Sequence, residues 1–168
     1  MPVQIWSRLI CSIALGLCAS TGAVLLSACR QSEPGARVPI SNPLLIEARG
    51  RDREWQFTFG GADGVVGSDD DVVTSRHLQV PAGVEVRLQL RSDDYIYVFS
   101  CPELAMKEIA VPDLDYEIRF HASVPGVYEL AMDPMCGFRL PQGATMGTLT
   151  VASENGFRSW IAQVEASD

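Results

Sequence analysis

Histidine is scarce in this chain: 168 residues contain two, His77 and His121. No Ser/His/Asp arrangement rises above chance, and no pair of carboxylates stands out as an acid/base couple. Basic residues are also few, 13 against 21 acidic ones, for a formal net charge of −8. Without a basic patch the chain lacks the electrostatic footprint of a nucleic-acid binder, so no nucleic-acid partner is expected. Helical periodicity is almost missing until the last dozen or so residues. Cysteine is thinly spread where it matters. Of five in the chain, Cys11, Cys18 and Cys29 fall in or at the end of an apolar leader, leaving Cys101 and Cys136 for the folded part.

The leader itself lacks charge. "MPVQIWSR" carries only Arg8, and "LICSIALGLCASTGAVLLSA", from Leu9 to Ala28, carries none. It ends in "LSAC", small and apolar residues ahead of Cys29, which suits a lipoprotein-type signal peptide over 1–28 with lipid attached at Cys29. An uncleaved membrane anchor is the alternative, since about 20 apolar residues just span a bilayer. Either route exports the domain and holds it at a membrane on the periplasmic or extracellular side, where disulfides are permitted. Residues 29–43, "CRQSEPGARVPISNP", are polar and proline-rich and read as a flexible tether. Cleavage removes Arg8 and leaves 12 basic against 21 acidic residues, a charge near −9 that serves solubility. About 140 residues remain, enough for one core.

What fills 44–168 is a series of short β-type runs divided by turn residues. "LLIEARG" and "EWQFTFGG" suggest an opening pair, and "GADGVVGSDDD" a surface loop in which Asp69, Asp70 and Asp71 are solvated. "SRHLQVPAGVEVRLQLRS" alternates around a Pro-Ala-Gly turn, with Leu78 and Val80 before it and Val84, Val86, Leu88 and Leu90 after, and predicts a half-buried strand pair. "DYIYVFSC", "YEIRFHA", "GVYELAM" and "GTLTVA" follow, and "ENGFRSWIAQVE" predicts a short closing helix. About eight strands in this arrangement predict an all-β Greek-key sandwich or barrel. Trp55, Phe57, Phe120 and Tyr128 are read as core; His77 and His121 as exposed or hydrogen-bonded side chains.

One stretch concentrates sulfur. "AMDPMCGFRLPQGATMG", residues 131–147, holds Met132, Met135, Cys136 and Met146 among turn-forming residues. Thioether and thiolate sulfur favour monovalent copper. Methionine also fills irregular cores, so the same residues read as packing.

In order and spacing, "IEARGRDREWQFTF", "SRHLQVPAGVEVRLQLRSDDYIYVFSCPEL", "KEIAVPDL", "VPGVYELAMDPMCG", "MGTLTV" and "FRSWIAQ" resemble the periplasmic domain of cytochrome c oxidase subunit II. The resemblance covers about residues 45–163 and implies a cupredoxin-like Greek-key β-sandwich with a short C-terminal helix. A single export segment stands in place of the two transmembrane helices usual in that family. There the domain holds a binuclear copper centre that takes electrons from cytochrome c, through two cysteines, two histidines, a methionine and one backbone carbonyl. Laid onto this chain, the first histidine position is Tyr97, the first cysteine Met132, the carbonyl donor Pro134 and the second cysteine Cys136. The second histidine falls on Leu140, or on Gly143 if three residues are inserted, with Met146 then matching the methionine.

One cysteine and one methionine are thus kept, and the usual binuclear copper centre is not expected. The resemblance then implies an accessory or docking subunit beside the core subunits of a haem–copper oxidase, with no independent active site. In having a lipoprotein-type leader and a copper-free domain it is similar to quinol oxidase subunit II. A copper(I)-binding or copper-delivering lipoprotein, with a mononuclear sulfur-rich site drawn from Cys136, Met132, Met146 and Met135, is the alternative, and an interaction module on a cupredoxin shell a third. A Cys101–Cys136 disulfide in place of the metal is a further expectation. Tyr97 and Cys101 stand roughly 13 Å apart on an extended strand, so that bridge requires the chain to bend at "SCP".

Overall fold

The computed structural model describes residues 38–132 and 144–167. Within them run β1 (Leu44–Arg51), β2 (Glu54–Phe59), β3 (Val72–Ser75), β4 (His77–Pro81), β5 (Glu85–Ser92), β6 (Tyr97–Cys101), β7 (Met106–Ala110), β8 (Tyr116–His121), β9 (Gly126–Ala131), β10 (Thr145–Ala152) and the helix α1 (Glu154–Glu165). A five-stranded sheet has the order β3-β2-β1-β5-β8, a three-stranded sheet β4-β10-β9, and β6 and β7 form a separate hairpin.

Side-chain alternation builds the core. Along β2, Trp55, Phe57 and Phe59 are buried while Glu54, Gln56 and Thr58 are half-buried on the other face. β5 repeats the pattern with Val86, Leu88 and Leu90 inward. β1 lies between them, antiparallel to β2 from Ile46↔Phe59 to Arg51↔Glu54 and parallel to β5 from Leu44↔Val86 to Gly50↔Ser92. On the outer face, Arg49 and Arg91 bracket the Glu47 carboxylate at 2.8 and 3.2 Å and reach Asp93 and Asp115, each at 2.7 Å. One face is therefore apolar and packed, the other a ladder of ion pairs built around the buried Glu47 carboxylate.

The expected opening pair is β1–β2. The expected pair around Pro-Ala-Gly is not a pair. Both halves are strands, but β4 joins β10 in parallel, His77↔Thr148 to Ala152↔Pro81, whereas β5 joins β1 and β8. Alternation reports which face is buried and says nothing about the neighbour, and here the turn carries the chain from one sheet to the other. β4 also departs from simple alternation, with Leu78, Gln79, Val80 and Pro81 all buried. The reason is α1, whose backbone at Gly156 accepts a 3.2 Å hydrogen bond from Gln79 Nε2. β3 and β7 are strands beyond the eight or so anticipated.

α1 begins where expected. Ser153 caps it by accepting from Gly156 N, and Phe157 and Ile161 point into the core. Trp160 completes the contact, 5.6 Å from Phe59 and 5.7 Å from His77 between ring centres. Of the aromatics expected in the core, Trp55 and Phe57 are fully buried; Phe120 and Tyr128 are partly buried against it. The aspartates of 69–71 lie on the surface, but two of them also brace their own loop: Asp70 accepts from Ala62 N at 2.7 Å and Asp71 from Gly67 N at 2.7 Å.

Candidate functional site

The sulfur-rich loop leaves the sheet from the end of β9 and returns at the start of β10. Its base is closed by the Ala131↔Thr145 pair and by Met132 N donating to the Ala144 carbonyl at 3.4 Å. Met132 and Met146 thus stand at the two feet of the loop, the first half-buried against the core and the second 2% exposed. Pro134, Met135, Cys136, Leu140 and Gly143 lie outside the described residues, as does Cys29.

The returning foot is shaped by a register shift between Thr145 and Gly147. Thr145 Oγ1 accepts from Gly147 N at 3.1 Å and contacts the Leu130 carbonyl at 3.0 Å. Such a bulge re-aims a side chain, and here Met146 turns into the core. Gly147 has φ +150°, and a Cβ on it would overlap the Arg76 carbonyl. Arg76, itself at φ +63°, holds that carbonyl in place: its guanidinium pairs with Glu54 at 2.8 Å and donates to the Thr145 carbonyl at 3.3 Å. Thr148 N closes the arrangement on the Arg76 carbonyl at 2.8 Å. Nothing in the sequence pattern singled out Arg76, because its role depends on a register shift that pattern does not encode.

Tyr97 opens β6. Its ring is 1% exposed and rests over Gly50, where any Cβ would overlap it. The phenol accepts from Arg53 N at 2.9 Å and donates to Asp94 Oδ1 at 2.8 Å. Asp94 is held in turn by Asp52 N and Tyr95 N, each at 2.9 Å. Desolvation, with the neighbouring Asp94 carboxylate adding to it, raises the Tyr97 pKa far above that of a free phenol. Trp55 packs against Tyr97 and Phe99 at 5.7 and 5.5 Å, and its buried Nε1 has no hydrogen-bond partner among the described residues. The sequence marks Tyr97 but not Gly50 or Asp94, which acquire meaning only when β1, the β1–β2 turn and the approach to β6 converge.

β6 runs unbroken to Cys101, and the chain turns immediately afterwards, through a 3-10 turn at Pro102–Leu104 and a left-handed Ala105. The turn falls after the cysteine, so Tyr97 and Cys101 remain at the two ends of one extended strand and the bend does not bring Cys101 toward Tyr97. Cys101 is a fully buried free thiol whose pKa burial pushes up. Both imidazoles are engaged with other groups, as expected. His77 Nδ1 lies 2.9 Å from Thr148 Oγ1, and His121 bridges Ser123 Oγ at 3.1 Å and the Gly83 carbonyl at 3.0 Å. Among the described residues, no three His, Cys, Asp or Glu side chains are grouped to hold a metal ion.

This is the architecture of an all-β cupredoxin-like domain, and solved structures of that class superpose on it. The periplasmic domain of subunit II of cytochrome oxidase from Bradyrhizobium japonicum matches 77% of this chain and 98% of its own with a TM-score of 0.61 at 20% identity. The chain belongs to the family of the cytochrome c oxidase subunit II periplasmic domain, whose model matches residues 61–146. It is 28% identical over 121 residues to cytochrome c oxidase subunit 2 of Synechocystis sp., covering 72% of this chain and 33% of that one. An alternative cytochrome c oxidase subunit 2 of Bradyrhizobium diazoefficiens is 24% identical over 140 residues, covering 70% and 50%. The chain spans about a third of the length of the Synechocystis relative. Membership puts the folded part on the exported side of a membrane. Among the described residues no helix is long and apolar enough to cross one.

Proposed function

We propose that this protein is a membrane-held accessory or docking partner of a haem–copper oxidase core, exported as a lipoprotein through Cys29, whose domain does not assemble the binuclear copper centre of its family. One observation carries the reading. At the first histidine position stands Tyr97, and its ring is fully used elsewhere: packed on Gly50 and Trp55, hydrogen-bonded to Arg53 N and Asp94. A phenol so engaged already serves Arg53 N and Asp94 with its oxygen, and burial keeps it protonated, a poor metal ligand. The two histidines of the chain are bound to Thr148, Ser123 and Gly83. With Met132 at the first cysteine position, one thiolate, that of Cys136, would have to bridge two metals alone. The donor set does not fit a two-copper centre.

The experiment is to purify the full chain from membranes under mild detergent and determine its metal content and companions together. The expected result is less than stoichiometric copper with oxidase core subunits co-purifying. Two coppers per chain with the purple colour of a mixed-valence pair would overturn the copper part, and absence of any core subunit the docking part. Labelling with a fatty-acid analogue, lost in Cys29→Ser, tests the anchor.

A second reading has its own support. Met132 and Met146 stand at the two feet of the loop, and the sequence places Met135 and Cys136 between them, sulfur donors of the type suited to one monovalent copper. Under reducing conditions the purified chain then takes up one equivalent of copper(I), and Cys136→Ser abolishes uptake. Loss of a Cys101–Cys136 disulfide as an option follows from the same result, because the thiolate is needed for the metal.

A further inference from the structure

Tyr97 is more elaborately held than a core aromatic needs. A phenol in a packed interior requires one hydrogen-bond partner; this one has two of opposite kind, a backbone donor and a carboxylate acceptor, each within 3 Å. The acceptor is fixed by two further N–H groups from Asp52 and Tyr95. The ring occupies a space that only glycine at position 50 leaves open. On either side lies another oxidisable ring: Tyr95, half-exposed, at 6.5 Å, and Trp55, fully buried, at 5.7 Å. Surface ring, buried phenol and buried indole are thus in sequence, with a base at the phenol.

We propose that Tyr97 is a redox-active tyrosine, oxidised by one electron through Tyr95 while its phenolic proton passes to Asp94. The step balances as follows. A strong one-electron oxidant at the surface, of the class of a protein-damaging radical or a photo-oxidised metal complex, removes an electron from the Tyr95 ring. The oxidised Tyr95 releases its phenolic proton to water and regains one from water as Tyr97 refills it; the Tyr97 O–H bond breaks, its proton joins the Asp94 carboxylate to give the neutral acid, and a neutral phenoxyl radical stays on Tyr97. One electron has left and no proton has left the pair. Reduction returns the electron, and the proton moves back from Asp94 to oxygen. Oxidised phenol is a strong acid, so a carboxylate in hydrogen-bond contact accepts its proton without rearrangement, the condition for efficient proton transfer. Trp55, whose Nε1 has no partner among the described residues to take a proton, is the poorer resting place, and Tyr95 is open to water and reductants. The radical therefore settles at the buried position. This function concerns residues of β1, β2, the β1–β2 turn, the β5–β6 connection and β6, and stands whether or not the sulfur-rich loop binds copper.

The test is flash oxidation of the full chain in detergent by a ruthenium polypyridyl sensitiser with an irreversible electron acceptor, followed by transient absorption and electron paramagnetic resonance. Expected is a neutral tyrosyl radical with restricted ring geometry. Tyr97→Phe removes it and leaves only a short-lived surface species. Asp94→Asn, which keeps the hydrogen bond but not the basicity, slows radical formation at Tyr97 about 100-fold, the lower end of what a positioned base contributes. Tyr95→Phe lowers the yield without changing the spectrum. An unchanged long-lived radical in Tyr97→Phe, or an unchanged rate in Asp94→Asn, overturns the proposal. If either variant fails to fold, 3-fluorotyrosine placed at position 97 reports through its fluorine hyperfine splitting. Absence of that splitting is equally fatal.

Discussion

The apolar face shared by β1, β2 and β5 and the former ligand positions at the start of β6 and the end of β9 follow different rules. On the first, Ile46, Trp55, Phe57, Phe59, Val86, Leu88 and Leu90 keep the alternation that any two-layer β-domain requires. At the second, the positions that hold metal in the resembled family carry Tyr97 and Met132, while the fold around them is intact. Packing asks for volume and apolarity, which many residues satisfy. Ligation asks for one donor atom at one place. A change of donor therefore leaves the sandwich standing, provided that the incoming side chain finds partners of its own. Tyr97 does, through Arg53 N, Asp94 and the gap above Gly50.

The strongest way to break this contrast is to attack the scaffold where it touches Tyr97. Trp55 is fully buried between Tyr97 and Phe99. Trp55→Ala empties that space and is expected to cost about 3–5 kcal/mol, measured by urea unfolding. A loss under about 1 kcal/mol would mean that the interior beside Tyr97 is loosely filled and that the contrast with the former ligand positions is unfounded.

Gly147 probes the foot of the loop. Its φ of +150° and the nearness of the Arg76 carbonyl make Gly147→Ala strained, with an expected loss of about 1–3 kcal/mol. The same substitution should raise amide exchange at position 147 and at Thr148, whose N–H groups donate to Thr145 Oγ1 and the Arg76 carbonyl. If stability falls but exchange there stays the same, the strain has been absorbed elsewhere and Arg76 does not hold the foot.

Tyr97→Phe sharpens the comparison at its centre. It keeps the ring over Gly50 and removes a hydroxyl that makes two hydrogen bonds, one to a carboxylate, so the expected loss is about 1–2 kcal/mol. That is small against the about 5–15 kcal/mol by which domains are stable, so the variant remains folded for the redox test above.

The sequence made the inner faces and the closing helix readable because both depend on local period: Trp55, Phe57 and Phe59 two apart, Phe157 and Ile161 four apart. Sheet membership was not readable. The Pro-Ala-Gly turn between β4 and β5 has the composition of a hairpin, yet β4 pairs with β10, more than sixty residues on by the Leu78↔Leu149 register. The site was readable only as a list of replaced donors. That Tyr97 would bind Asp94, three residues earlier, and Arg53, 44 residues earlier, depends on three segments meeting. No period or motif carries that information.

The smallest effect belongs to the solvated side of the scaffold. Glu117 on β8 is held below the usual carboxylate range first by its hydrogen bond from Arg119, 2.6 Å away, and then by Arg87 on β5. A carboxyl whose pKa is lowered on folding adds stability above its unfolded pKa and loses it as pH falls through the folded value. Glu117→Gln should therefore lower stability slightly near about pH 7 and leave it unchanged near about pH 2, flattening the acid limb of a plot of urea midpoint against pH. The carboxylate faces solvent, so salt should shrink the difference further. If Glu117→Gln were as damaging as Trp55→Ala, the ion-pair face would be supporting the fold as much as the apolar face does. The division between a packed inner layer that fixes the domain and exchangeable groups around it would then fail on the outer surface before it failed at the loop.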